Sequence, residues 1–220
     1  MAGLNISIPA IPDSYYTLPA AKANESKIKT VIRPKFGTFI NNSSKISGVP
    51  VELIESFIFI ESGGNPNAKS PYATGLMQLS PATASDVLVK EKGAGRLQDE
   101  EATLLKKYLG TRYSLIEKVK PKQTSLGKTF ITNDDLLKPE FNILVGTILL
   151  GQLVSEFTEK GVLRLDKVVT IYNGGRFSKA GKKIIKFQGS TKELLTQIPK
   201  ESANYVVKLL GTQGLLDTIV

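Results

Sequence analysis

The sequence predicts a mainly α fold with room for one small β region around Gly75. Two observations support this fold class. Apolar residues recur at helical spacing in several segments, and the strongest of these begins at Pro139 and continues to about Phe157. Prolines and capping residues also stand where helices begin, as at Ser80-Pro81 and at Pro199.

The helix that matters most for function is predicted from Val51 to Ile60 and leads directly to Glu61. At 100° per residue, one face of this helix is apolar and Glu61 falls within it. The apolar face consists of Leu53, Ile54, Phe57 and Ile58, whereas Glu52, Glu55 and Ser56 are predicted on the opposite, solvated face. Gly63 and Gly64 follow at once and predict the end of the helix.

This placement of Glu61 predicts a carboxyl group that holds its proton. Apolar neighbours and the negative end of the helix dipole both disfavour the charged form, so we expect a raised pKa. A carboxyl group that stays protonated near neutral pH can act as a general acid. The alternative from this stretch alone is a helix-end glutamate that turns out to water.

The remaining segments complete a helical chain. Further helices are predicted from Pro81 through Leu88, from Glu100 to Tyr108, from Asp166 to Gly175 and from Pro199 through Leu210. Residues 118–128 are predicted as an exposed loop, and the basic connector at 176–189 as an exposed hairpin.

Two regions are predicted around this domain. Residues 1–45 read as a partly extended N-terminal arm that closes in a loop at residues 41–44, and residues 46–220 as the catalytic domain. A lysine-rich section at about 92–135 is predicted as an insertion in that domain. The arm is a possible docking segment for virion or wall-associated proteins, although a passive extension is the simpler interpretation.

Composition limits the chemistry. The chain has 220 residues, no cysteine and no histidine, which removes disulfides, thiol nucleophiles and the commonest metal ligands. Carboxylate chemistry remains, and we expect neither a metal nor a cofactor. The net charge of +9 is consistent with an acidic polymer as partner, either nucleic acid or a bacterial cell wall, and equally with a charge that only keeps the protein in solution.

No segment resembles a signal peptide, and no apolar run approaches the roughly 20 residues that span a bilayer. We therefore expect a protein made in the cytoplasm, which something else must deliver if it acts outside the cell. Nucleic acid is the least favoured partner, because the lysines are dispersed and no binding module is recognisable.

Four motifs stand in order along the chain and together carry a family resemblance. They are Glu61-Ser62-Gly63-Gly64-Asn65-Pro66, Gly75-Leu76-Met77-Gln78, Leu137-Lys138-Pro139 with Asn142, and Ile171-Tyr172-Asn173-Gly174-Gly175 with Asn204-Tyr205. In this order they resemble the soluble lytic transglycosylases, which have a goose-type lysozyme-like fold and cleave peptidoglycan. The resemblance covers roughly residues 46–90 and 136–210.

The resemblance implies a role for each matching residue. Glu61 corresponds to the single catalytic acid/base of the family. The residues expected to contact the sugar are Ser70, Met77, Gln78, Tyr172, Asn173 and Tyr205, and those expected to support the backbone are Ser62, Gly75 and Asn142. The loop between Ser70 and Gly75 is one residue shorter than the common form, which leaves the sugar contacts there open.

The resemblance also implies a reaction that needs only one carboxylate, with a 1,6-anhydro sugar as its product. Two alternatives remain at this point. A goose-type lysozyme-like hydrolase would need a second carboxylate, for which Asp86, Asp134 and Asp135 are the candidates. A catalytically inactive virion or wall-binding structural protein is the other.

Overall fold

The computed structural model describes residues 26–119, 129–159, 161–176, 178–211 and 214–216. The chain divides into two compact units, an N-terminal unit of residues 28–149 and a C-terminal unit that begins at residue 150. Residues 120–128 of the predicted loop and most of the predicted arm lie outside the described residues.

The N-terminal unit begins with a π-helical turn, Ile28–Ile32, followed by α1 (Arg33–Ser47) and α2 (Val51–Ser62). It continues with α3 (Pro81–Gly93), α4 (Asp99–Leu109), a 3-10 turn (Gly110–Ser114) and α5 (Leu115–Lys118). The short α6 (Asn133–Leu136) then leads to the long α7 (Pro139–Glu156), of which residues 139–149 belong to this unit.

The C-terminal unit contains the end of α7, a two-stranded antiparallel sheet and four further helices. The sheet pairs β1 (Thr158–Glu159) with β2 (Val162–Leu163). The helices are α8 (Leu165–Gly174), α9 (Lys179–Lys186), α10 (Thr191–Gln197) and α11 (Lys200–Leu210). Helix α8 packs against α9 and α11. The fold is therefore mainly α, as predicted.

The β structure differs in place from the prediction. Around Gly75 the described residues form two isolated bridges, Lys69 with Thr74 and Thr74 with Leu79, rather than a sheet. The sheet at residues 158–163 was not predicted, because two-residue strands are too short to show an alternating pattern.

Two regions predicted as irregular are helical. The predicted loop at residues 41–44 lies inside α1, and the predicted hairpin at 176–189 contains α9. In α1, Phe36, Ile40 and Ser43 are buried at helical spacing, so packing outweighs the weak helix propensity of the asparagines and serines. The expectation that this part of the arm is extended is therefore wrong.

Helix α2 is buried on more sides than its pattern indicated. The predicted apolar face is confirmed, since Leu53, Ile54, Phe57 and Ile58 are all at most 1% exposed. Glu55 and Ser56 are also buried, which contradicts their predicted solvated position. Arg33 reaches Glu55 from α1 through two hydrogen bonds of 2.7 and 2.8 Å, and this pairing makes a buried carboxylate tolerable.

No helix among the described residues is both long enough and apolar enough to cross a membrane.

Candidate active site

Glu61 lies in the last turn of α2, as predicted from the sequence. The helix ends at Gly63, which adopts a left-handed conformation (φ 59°) and donates its N–H to the carbonyl oxygen of Phe59 at 2.8 Å. Ser62 donates its hydroxyl to the carbonyl oxygen of Ile58 at 3.0 Å and accepts the N–H of Gly64 at 3.2 Å. These bonds fix the exit of the chain directly after the glutamate.

Glu61 is half-buried rather than enclosed. The sequence placed it within the apolar face of the helix, and the residues one turn earlier on that face, Phe57 and Ile58, have no exposed surface. The prediction of a shielded carboxylate is therefore correct only in part. The reason is positional, because the helix ends within two residues of Glu61 and no following turn covers it.

The loop after α2 folds back on itself around Ser70. The N–H of Ser70 donates to the carbonyl oxygen of Ala73 at 2.9 Å, and the serine hydroxyl oxygen accepts the N–H groups of Tyr72 and Ala73 at 3.3 and 3.0 Å. Ser70 is exposed, but its hydroxyl already serves this turn. Its predicted sugar contact would have to compete with these bonds or add to them.

Gly75 and Asn142 join this loop to the start of α7. Asn142 is fully buried and donates its side-chain amide to the carbonyl oxygens of Thr74 and Leu136, at 3.0 and 2.9 Å. Gly75 has a φ of +86°, and a Cβ added to it would lie 2.2 Å from the Leu136 carbonyl oxygen. Only glycine fits this position, because the backbone there has a positive φ and because the Leu136 carbonyl oxygen leaves no room for a Cβ.

Met77 occupies a different place from the one that the resemblance implied. Its side chain is fully buried, and its backbone N–H donates to Oδ1 of Asn142 at 2.7 Å. A Cβ added at Gly146 of α7 would lie 2.4 Å from the Met77 sulfur, so the absence of a side chain there creates the space that Met77 fills. A side chain with no exposed surface does not face an open sugar cleft, so the expectation that Met77 contacts the sugar is wrong.

Gln78 has a strained backbone and an acceptor that remains available. Its φ of 44° is the one positive value for a residue other than glycine among the described residues. Its side-chain amide group donates to the carbonyl oxygens of Ala68 and Gly75, at 3.1 and 2.9 Å. No donor among the described residues reaches Oε1, which is therefore able to accept a hydrogen bond from a ligand.

Three predicted site residues lie in the C-terminal unit. Tyr172 and Asn173 stand in the last turn of α8, and Oδ1 of Asn173 accepts the hydroxyl of Ser202 on α11 at 2.8 Å. Tyr205, also on α11, is 8% exposed, whereas Tyr172 is half-buried. The packing of α8 on α11 thus brings the two parts of the fourth motif together.

One exposed residue beside the site was not singled out from the sequence. Tyr72 is 84% exposed and lies in the turn formed by Ser70 and Ala73. The signal was present, because an aromatic residue in a loop of polar and small residues has no helical face to pack on. Its open ring offers a flat apolar surface to a ligand.

Comparison with known proteins agrees with this geometry. Residues 38–105 match the sequence profile of the transglycosylase SLT domain. The segment that contains Glu61 is therefore similar to the transglycosylase SLT domain of lytic transglycosylases. The match includes α2 with Glu61, the loop that holds Ser70 and Gln78, and α3 and most of α4, so it begins earlier and extends further than the first part of the predicted resemblance. No curated protein matches the chain.

The similarity to the transglycosylase SLT domain indicates glycan cleavage of the transglycosylase and lysozyme type, with peptidoglycan as the substrate. Within the described part of the chain, no group of three or more acidic side chains could hold a metal ion. The functional groups that the first two motifs supply are a carboxylate, amide groups and hydroxyl groups.

The three acids considered as a second carboxylate for this transglycosylase domain have different surroundings. Asp135 is 2% exposed and accepts two hydrogen bonds from the Arg112 guanidinium, at 2.6 and 2.9 Å, and two from Thr132. Burial favours a higher pKa for Asp135, but these bonds outweigh it and hold the pKa well below its usual range. Asp86 pairs with Lys90, and Asp134 is exposed on α6.

Proposed function

We propose that this protein is a peptidoglycan lytic transglycosylase that cleaves the β-1,4 bond between N-acetylmuramic acid and N-acetylglucosamine, with Glu61 as its catalytic residue. The observation that carries the proposal is the position of Glu61, in the last turn of α2 before a left-handed glycine and inside the segment that matches the transglycosylase SLT domain. Both the motif and the local backbone around the glutamate support this proposal.

The proposed reaction uses Glu61 twice. The protonated carboxyl group first gives its proton to the glycosidic oxygen, and the bond from that oxygen to C1 of the muramic acid residue breaks. The N-acetyl group of the same sugar stabilises the positive charge at C1. The Glu61 carboxylate then takes the proton of the C6 hydroxyl, whose oxygen bonds to C1. The product is a 1,6-anhydro sugar, and no water is consumed.

The loop from Ser70 to Gln78 is proposed to hold the substrate beside Glu61. The free Oε1 of Gln78 would accept a hydrogen bond from a sugar hydroxyl or N-acetyl N–H, and the strained backbone of Gln78 supports a functional role for this position. Met77 and Asn142 support this loop from within the fold. Tyr172, Asn173 and Tyr205 remain proposed substrate contacts of the C-terminal unit.

The surroundings of the candidate second carboxylates favour the one-carboxylate reaction over hydrolysis. A hydrolase would need a base to activate water. Asp135, whose carboxylate accepts five hydrogen bonds and has a lowered pKa, is a weak base, and Asp86 is held by Lys90. Asp134 is the one candidate of the three that remains exposed.

The decisive experiment digests purified peptidoglycan and identifies the products by mass spectrometry. We expect fragments that end in 1,6-anhydro-N-acetylmuramic acid, each lighter by one water than the corresponding hydrolysis product. If most fragments carry reducing ends, the protein is a hydrolase and the proposal is wrong. If the parent protein does not cleave peptidoglycan at all, the result favours the inactive wall-binding alternative.

Glu61→Gln tests the catalytic residue in the same assay. We expect cleavage to fall by about a thousandfold or more, because an amide neither donates the required proton nor accepts one. Glu52→Gln is the matched control, since it makes the same change in the first turn of the same helix and should leave cleavage near the parent level. Unchanged cleavage by Glu61→Gln would remove Glu61 from the mechanism.

Delivery to the wall is a separate proposal. We propose that a phage particle carries the protein to the bacterial wall, where it contacts other particle proteins through residues 1–45. Immunodetection in purified particles, compared with the cell lysate, tests this. Detection in the lysate alone would favour a role in release through a holin.

A further inference from the structure

Helix α9 presents a row of lysines on one face. Lys179, Lys182, Lys183 and Lys186 are all exposed, and their spacing of three, one and three residues places them on the same side of the helix. At 1.5 Å of rise per residue, the row is about 10 Å long. We call these four residues the lysine face.

The opposite side of α9 is fixed to the rest of the C-terminal unit. Ile184 is 2% exposed, and a Cβ added at Gly181 would lie 2.2 Å from the carbonyl oxygen of Gly175, at the end of α8. Ser178 caps the helix by accepting the N–H of Gly181 at 2.9 Å. Because its central isoleucine is buried, α9 lacks the wide exposed apolar face with which a basic amphipathic helix enters a lipid surface.

The described residues do not neutralise the charge of the lysine face. From Arg176 to Lys192 the sequence has six basic residues and no acidic one, in a chain whose net charge is +9. Arg176 pairs with Glu156, but none of the four lysines forms an ion pair with any described residue. A local excess of four positive charges therefore faces solvent on a rigid helix.

We propose that the lysine face binds a linear phosphodiester polymer of the bacterial cell wall. The face consists of lysines alone, and a lysine ammonium binds phosphate as a point charge, without the planar, bidentate geometry by which arginine recognises a carboxylate or a phosphate. A flexible chain with one negative charge per repeat matches a row of such point charges. The eight residues of α9 include no aromatic side chain on which nucleic-acid bases could stack.

This site goes beyond the cleavage reaction, and it rests on the proposed function only for the wall as the place where the polymer is found. Because α9 packs against the end of α8, where Tyr172 and Asn173 lie, a polymer held on the lysine face is held close to that helix end. The surface would keep the enzyme on the wall between cleavage events.

The test measures sedimentation of the full chain with purified walls, in a Glu61→Gln background so that the walls stay intact. The main variant changes all four lysines of the face to glutamine. The matched control changes Lys35, Lys45, Lys118 and Lys200 to glutamine, which removes the same charge from exposed lysines elsewhere. A third variant changes the lysine face to arginine and so retains the charge. Circular dichroism melting verifies folding in each.

We expect the glutamine variant of the lysine face to bind walls about tenfold more weakly or worse, and the slope of log affinity against log salt to become shallower by about 3. The control and the arginine variant should bind nearly as the parent does. Walls stripped of phosphodiester polymer by acid should bind the parent no better than intact walls bind the glutamine variant.

Several outcomes would overturn the inference. In three of them, wall binding is lost equally in the control variant, is retained in full by the glutamine variant, or is retained in full on stripped walls. In the fourth, single-stranded DNA competes for the protein as strongly as soluble poly(glycerol phosphate) does. None of these outcomes depends on peptidoglycan cleavage. The proposed function can therefore fail while the inference stands, and the inference can fail while the proposed function stands.

Discussion

Asn142 and Gly75 position the loop that carries Gln78. The buried amide of Asn142 satisfies three backbone groups at once, namely the carbonyl oxygens of Thr74 and Leu136 and the N–H of Met77. Each would cost about 1–3 kcal/mol if it were left buried without a partner. Gly75 permits this arrangement, because any side chain there would occupy the space of the Asn142 amide.

Gly75→Ala is therefore expected to destabilise the protein by about 2–4 kcal/mol, since it combines a φ of +86° with a Cβ 2.2 Å from a carbonyl oxygen. Denaturant unfolding monitored by circular dichroism measures the change. Gly37→Ala is the control, because Gly37 lies within α1 and nothing comes within 4 Å of an added Cβ. It should stabilise by about 0.5–1 kcal/mol. Equal stability of the two variants would contradict this account.

For single residues, the sequence predicted places along the chain better than it predicted side-chain contacts. The resemblance marked Glu61, Gly75, Gln78 and Asn142, and the helix period placed Glu61 beside Phe57 and Ile58. The sequence could not show that the Met77 side chain packs against Gly146, because the two residues are far apart along the chain and no local pattern links them. The half-exposure of Glu61 likewise depends on what covers the helix end, which periodicity does not encode.

Among the helices, those with a continuous apolar pattern were predictable and those held by packing were not. Helix α7 begins at the predicted Pro139 and ends at Glu156, one residue before the predicted end, and α2 includes the predicted Val51 to Ile60. Helix α9 was missed because its lysines and Gly181 suggest an exposed turn, yet Gly181 is what allows it to pack against Gly175. In α1, the buried positions are separated by polar residues that favour loops in isolation.

The short helix α6 depends on Asp135 for its capping box and for its ion pair with Arg112. Since these contacts hold the pKa of Asp135 well below its value in the unfolded chain, the stability they supply is present above about pH 4 and is lost as the pH falls further. Asp135→Asn should lower the free energy of unfolding by about 2 kcal/mol or more at pH 7.

The measurement is the free energy of unfolding of parent and variant from pH 7 to pH 2. The difference between them should shrink below about pH 4, because Asp135 of the unfolded parent takes up a proton there while Asp135 of the folded parent stays ionised. Asp134→Asn, at the exposed neighbouring position, should stay within about 0.5 kcal/mol of the parent throughout. A difference for Asp135→Asn that is constant with pH would show that the ion pair does not supply the stability.

In the whole molecule, the residues that the sequence assigned to the site belong to different compact units. Glu61, Ser70 and Gln78 belong to the N-terminal unit, and Tyr172, Asn173 and Tyr205 to the C-terminal unit. The family match at residues 38–105 lies entirely in the N-terminal unit. The catalytic contribution of the C-terminal unit therefore rests on the order of the motifs along the chain, and it is open to a direct test.

Tyr172→Phe and Tyr205→Phe provide that test, because each removes one hydroxyl group and keeps the ring. If these hydroxyls contact the reacting sugar or Glu61 in the transition state, the rate of peptidoglycan cleavage should fall by about tenfold or more, as expected for the loss of a hydrogen bond to a charged group. The melting temperature should change little for Tyr172→Phe, since Tyr172 is only half-buried.

Tyr113→Phe is the control, as Tyr113 is a half-buried tyrosine of the N-terminal unit with no proposed part in the site. Parent-like rates in both Tyr172→Phe and Tyr205→Phe would mean that the C-terminal unit contributes neither hydroxyl to the chemistry, which would then depend on Glu61 and the loop from Ser70 to Gln78.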